Sequence, residues 1–171
     1  MRATDNVVGL TPGERFARND RHLDSARRGP LWLSDERIAD AVCAAIETGA
    51  DPSLARYGLH AYVVMPNHVH MLATPNVPLR KMMQALKGAT ARTANQILRR
   101  EGIPFWQDEY YDHACRNADE FETIRNYIAM NPVKANLAQR PEDWKWSSEG
   151  RAGKVFARVA AWVEAAENAT S

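Results

Sequence analysis

Two runs rich in apolar and β-branched residues, Leu59 to Met65 (LHAYVVM) and Val69 to Thr74 (VHMLAT), are separated only by Pro66, Asn67 and His68. So short a gap makes a tight antiparallel hairpin the natural reading. Side chains alternate along a strand. On the second run His68, His70 and Leu72 therefore share one face, while Val69, Met71 and Ala73 share the other.

The flanking pattern is helical. Ser34 reads as an N-cap, with Asp35 and Glu36 in the first turn, where the helix dipole favours them. Ile38, Val42 and Ile46 repeat at helical spacing and Gly49 is a stop signal, which predicts a helix over 34–48. A second helix is predicted over 78–100, with Leu79, Met82, Met83, Leu86, Ala89, Thr93, Ile97 and Leu98 as its apolar stripe. Its polar face carries Arg80, Lys81, Lys87, Arg92, Arg99 and Arg100, and the window holds no acid. Gly88 within it reads as a point where another backbone or strand approaches closely. The aromatic-rich IPFWQDEYYDHACRN, 103–117, reads as a loop plus a strand. A third helix is predicted over 118–130, with Phe121, Ile124 and Ile128 facing the core and Asn131-Pro132 ending it. VKANLAQ reads as a further short helical turn, and PEDWKWSSEG as a helix start or turn.

Residues 1–29 form a poorly patterned arm, with VVGL a candidate strand. Residues 30–150 form the main domain, and 151–171 an amphipathic tail. The order predicts an α+β fold with helices packed on one face of an antiparallel sheet, approaching ferredoxin-like βαββαβ if VVGL is a strand.

The chain has 171 residues and a net charge of +1, which does not announce nucleic acid and hides the locally cationic helix. Cys43 and Cys115 are too few and too far apart for a disulfide or zinc framework. No apolar run approaches the roughly 20 residues of a membrane span, and the N-terminus lacks a signal-peptide core. A reducing cytoplasm is expected. So is a monomer, since no strand or coiled-coil seam demands a partner.

His68 and His70 project in parallel, about 6–7 Å apart along the strand. Two imidazoles so placed can converge on one divalent ion, a transition metal or Mg2+ or Mn2+. They can equally be ordinary half-exposed strand residues. A metal reading needs a further ligand. Tyr127 and Asn131 stand one turn apart on the third helix, and an amide oxygen is acceptable to a hard cation. They also suit a tyrosine at the edge of the core and an asparagine at a helix end. Tyr110 and Tyr111 point to opposite faces if that segment is a strand, and Tyr62 reads as packing.

Five segments together, YVVMPNHVHML, ALKGATARTAN, FWQDEYYDHACRN, IRNYIAMNPVKANL and PEDWKWSS, resemble the REP-associated tyrosine transposases. These are a branch of the one-tyrosine HUH transposases of insertion sequences, and the segments keep that family's order from about Gly29 to Ser148. The family's opening strand has only VVGLTPGERFARND in its place. The resemblance implies a divalent metal, Mg2+ or Mn2+, at His68 and His70. It makes Asn131 the polar residue completing that site and Tyr127 the nucleophile.

The chemistry implied is metal-dependent cleavage and rejoining of single-stranded DNA beside a hairpin. A phenol with an ordinary pKa near 10 needs a cation nearby to attack a phosphate. Lys81, Lys87, Arg92, Arg99, Arg116 and Lys134 are candidate phosphate contacts, and a solvated basic face is the alternative for the helical ones. Trp106, Tyr110 and Trp146 are candidate base-stacking residues. A hairpin-binding protein without catalysis is the competing reading of the whole chain. A metallohydrolase with water as nucleophile is a third.

Overall fold

The computed structural model describes residues 30–152 apart from 108, 109 and 111. The arm, the VVGL strand and the tail lie outside the described residues. A 3-10 turn, Trp32–Ser34, leads into helix α1, Glu36–Gly49. The cap is Asp35 rather than Ser34, because Ser34 belongs to the preceding turn. The Asp35 carboxylate accepts the Arg37 backbone N–H at 3.0 Å.

Strands β1, Tyr57–Val64, and β2, Val69–Pro75, form the hairpin, with Val64 opposite Val69 and Val63 opposite His70. The register shifts between Leu59 and Ala61. Within the connecting loop Met65 N–H donates to His68 O at 2.8 Å, and Leu33 N–H ties Pro66 O to the 3-10 turn at 3.1 Å. Helix α2 spans Leu79–Leu98 and helix α3 Ala118–Lys134.

The α+β class with an antiparallel sheet is borne out, but helices cover both faces of the hairpin rather than the one face expected, because the side chains on each face are apolar. Tyr62 and Val64 pack with Ile38, Val42 and Ile46 of α1 and Ala94 of α2, and partly buried Val69 and Met71 join them. Ala61, Val63, Met65 and Leu72 pack on the opposite side with Ile124, Tyr127 and Ile128 of α3. Both faces of the hairpin are therefore desolvated, at about 1.5–3 kcal/mol for each large aliphatic side chain fully buried.

Three local expectations are corrected. No strand forms among the described residues of 103–117. Its aromatics are held by side chains instead: Trp32 stacks on Phe105 at 5.4 Å, and Trp106 Nε1 donates to Thr90 Oγ1 at 2.9 Å. The free edge of β1 is covered by Trp146–Ser148: Val64 N–H donates to Trp146 O and Ser148 N–H to Tyr62 O. Second, α3 runs past Asn131-Pro132 to Lys134. Pro132 lies in the last turn, where only one helical bond is forgone. The helix then stops in a C-terminal motif with Asn136 at φ +56, Asn136 N–H bonding Val133 O and Leu137 N–H bonding Pro132 O. Third, Gly88 is exposed, and a Cβ there would meet nothing within 4 Å.

Gly49 is where close approach is required. An added Cβ would lie 2.7 Å from Tyr57 Cζ, while the Tyr57 hydroxyl donates to Ile46 O at 2.7 Å. Gly49→Ala is expected to destabilise by about 1–3 kcal/mol, although alanine is the better helix former. Gly88→Ala is expected to stabilise by up to about 1 kcal/mol. Urea-unfolding midpoints of the two variants check both.

Candidate active site

His70 and Leu72 of β2, with His68 just before the strand, lie on the face turned toward α3, as the alternation requires. All three are buried. The imidazoles face each other with 2.9 Å between their Nε2 atoms and 4.5 Å between ring centroids. Asn67 Oδ1 accepts from His68 Nδ1 at 2.7 Å. That bond puts the proton on Nδ1 and leaves Nε2 of His68 with a lone pair. Asn67 is a positioning residue that the sequence pattern did not single out. Its signal is its place in the short turn directly before His68.

Helix α3 brings the phenol. The Tyr127 ring stands edge-on to His70 at 5.8 Å between centroids, inclined 70°. Tyr127 is 6% exposed, so it is a member of the buried cluster rather than a residue at its edge. Asn131, one turn later, is 2% exposed. Lys134 Nζ stands 4.6 Å from the Tyr127 ring centroid. Two imidazoles, a phenol and an ammonium thus meet between one strand and one helix, with a buried amide on the same helix.

The donor set suits a divalent ion. Two nitrogens about 2.1 Å from one ion and at right angles to each other are about 3 Å apart, which is the observed gap. Among the described residues no group of three or more His, Cys, Asp or Glu side chains could hold a metal. Asn131, buried on the helix that carries Tyr127, has a neutral amide oxygen acceptable to a hard cation.

Other tyrosines are built differently. Tyr62 donates to Glu47 Oε1 at 2.6 Å, and burial, then that acceptor, push its phenol up. Burial pushes Tyr57 up to about 12. Neither lies with the histidines, and Tyr110 is exposed in the loop. Tyr111 lies outside the described residues. Cys43 is buried, and its thiol is pushed up to about 12.

The basic helix lies elsewhere. Through Leu86, Ala94, Ile97 and Leu98, α2 joins the core cluster with α1 on the side of the hairpin away from the imidazoles. Lys81 and Arg92 are exposed on it, and Arg99 is its exposed left-handed cap at φ +53. Lys87 is turned onto its own chain, bonding Gln107 O and lying 5.9 Å from the Tyr110 ring. Arg116 is exposed just before α3. Trp106 and Trp146 are partly buried against the α1 side of the core.

A profile of the IS200-like transposases matches residues 38–131, more than half of the chain. The chain belongs to that family. It is 27% identical over 93 residues to a REP-associated tyrosine transposase of Escherichia coli K12, covering 54% of each chain. It is 29% identical over 94 residues to an uncharacterised protein of Haemophilus influenzae, covering 42% of this chain and 52% of that one. The chain thus spans about half the length of the curated relatives it matches. Its fold is that of a solved REP-associated tyrosine transposase bound to a REP hairpin. The TM-score is 0.54 at 21% identity, over 73% of this chain and 71% of that one. No helix among the described residues is long and apolar enough to cross a membrane.

The helix that carries Tyr127 is anchored at its start. Asn117 Oδ1 caps it by accepting Glu120 N–H at 2.8 Å. The buried Glu120 carboxylate accepts Arg116 N–H at 2.7 Å and lies 2.7 Å from His113 Nε2. Arg116 N–H first, and then His113, hold that carboxyl below its ordinary value. A depressed folded value contributes stability above the ordinary carboxylate range, which is lost as pH falls through the folded value. Wild type is therefore expected to lose melting temperature below about pH 4.5 more steeply than Glu120→Gln, which starts lower at neutral pH. Thermal melts over pH 3–7 check this.

Proposed function

We propose that this member nicks and rejoins single-stranded DNA beside a folded hairpin. Tyr127 is the nucleophile, and a divalent ion, Mg2+ or Mn2+, is held by His68, His70 and Asn131. The observation that carries the reading is the junction of β2 and α3. Imidazoles stand there 2.9 Å apart, with a phenol against one of them.

When bound, the ion supplies positive charge to the scissile phosphate. Tyr127 Oη forms a bond to phosphorus while the bond from phosphorus to the 3′ oxygen breaks. The phenol proton ends on that oxygen, leaving a free 3′-OH and a 5′-phosphotyrosine. One phosphodiester replaces another, so attack by a 3′-OH reverses the step without ATP. Asn67 keeps the tautomer of His68. The packing of Tyr127 against Ile124 and Ile128 fixes its ring and limits water at the attacked phosphate.

Hairpin DNA is the proposed partner because the fold is shared with a transposase bound to a REP hairpin. Lys81, Arg92, Arg99 and Arg116 would contact its phosphates, giving affinity that falls steeply with salt. A single chain acting in the cytoplasm is part of the same proposal.

The burial of Tyr127 favours a second reading, a hairpin-binding protein without catalysis, in which this tyrosine only packs. Single-stranded DNA from the gene's own flanks, labelled and incubated with Mg2+ or Mn2+, separates the two on a denaturing gel. Wild type is expected to give a protein–DNA adduct. Tyr127→Phe should give none while retaining hairpin affinity, and EDTA should stop the reaction. Absence of an adduct with wild type would favour the binding protein. Cleavage by Tyr127→Phe would assign the nucleophile elsewhere.

A further inference from the structure

Among the described residues, Lys134 is a charged group at the phenol that the chemistry above leaves unused. Tyr127, Asn131 and Lys134 occupy positions i, i+4 and i+7 of α3, so they line one face of the helix. Tyr127 and Asn131 are buried, whereas Lys134 is exposed. Its ammonium therefore stands at the solvent side of the site, 4.6 Å from the phenol ring.

Two forces explain why it rests there. A cation is attracted to the face of an aromatic ring, and the last turn of a helix favours positive charge. Neither consumes its three N–H donors. Other surface cations are spent on carboxylates: Arg125 pairs with Glu122, Arg140 with Asp143, and Lys145 with Glu36. No ion pair among the described residues uses Lys134. Among the described residues, that ammonium stands beside the proposed nucleophile with no carboxylate paired to it.

We propose that Lys134 grips the phosphate that Tyr127 attacks and remains on it in the phosphotyrosine. This inference rests on Tyr127 being the nucleophile. As Tyr127 Oη joins phosphorus and the 3′ oxygen leaves with the phenol proton, negative charge stays on the non-bridging oxygens. A lysine over the phenol follows those oxygens from the DNA strand to the enzyme. The ligand class is a diester phosphate, first within DNA and then on tyrosine. The same residue serves cleavage and rejoining, since the phosphate stays beside the same ring in both directions. Lys134 differs in this from the cations of α2, which lie across the hairpin and would act on affinity alone.

The test compares full-length wild type with Lys134→Met and Lys134→Arg. Methionine keeps an unbranched stem without the charge, and arginine restores the charge. The substrate is a labelled single-stranded oligonucleotide carrying the flanking hairpin, with Mn2+ present. Adduct formation, hairpin affinity by fluorescence anisotropy, and melting temperature are measured together. Adduct formation by Lys134→Met is expected to be at least about tenfold slower, with affinity within about twofold and substantial rescue by Lys134→Arg. Unchanged adduct rates in Lys134→Met would overturn the inference and leave the nucleophile intact. A loss of rate matched by equal losses of affinity or melting temperature, unrescued by arginine, would also overturn it. No adduct from wild type would remove the parent reading and this one with it.

Discussion

The site depends on the register of one hairpin. Val64 opposite Val69 sets every later pair, and with them the face on which each side chain of β2 emerges. A slip of one residue would carry His68, His70 and Leu72 to the α1–α2 side and turn Val69 and Met71 toward α3. Two features oppose that slip. The loop is closed by the bond from Met65 N–H to His68 O and tethered through Pro66 O to Leu33. Both faces are apolar and covered, so neither set of side chains can exchange for the other without burying imidazoles against Tyr62 and Val64.

A strand buried on both faces is also a rigid support for polar groups. Imidazoles exposed on a loop would need ordering before they could share an ion. Here the cost of ordering is met by folding, since His68 and His70 are held by the strand, by Asn67 and by the helix opposite. The outer edge of β1 is sealed by Trp146–Ser148, and Arg151 bonds Glu47, which also accepts from the Tyr62 hydroxyl. The segment that closes the sheet edge is thereby fastened to α1. These contacts are made to β1, yet they hold the hairpin whose second strand carries the site.

Much of this was legible because it rests on short-range periodicity. The hairpin, the facing of His68 and His70, the core positions Ile124 and Ile128, and the pairing of Tyr127 with Asn131 on α3 follow from periods of two and 3.6. What was not legible depended on partners distant in sequence. The 103–117 segment has strand-like composition, but its aromatics are satisfied by Trp32 and Thr90, and no strand pairs with it. The edge of β1 is taken by a segment more than eighty residues away, recognisable in sequence only as two tryptophans before serines. Gly88 looks like a contact point, and only the placement of neighbouring elements shows open solvent around it. The role of Asn67 needed the rotamer of His68.

The end of α3 joins a misread boundary to chemistry. Proline after Asn131 suggests that the helix stops there, which would leave Lys134 in a separate short turn with no fixed relation to Tyr127. A proline in the last helical turn forgoes a single bond, to Ile128 O, and its ring is accommodated because the helix has almost run out. Asn136 accepts the left-handed conformation that ends the helix, and the bonds to Pro132 O and Val133 O hold the last turn in place. That additional turn carries Lys134 round to the face of Tyr127 and Asn131. A helix end displaced from 130 to Lys134 therefore decides whether the phenol has a cation beside it. The backbone bonds of Asn136 and Leu137 keep it there.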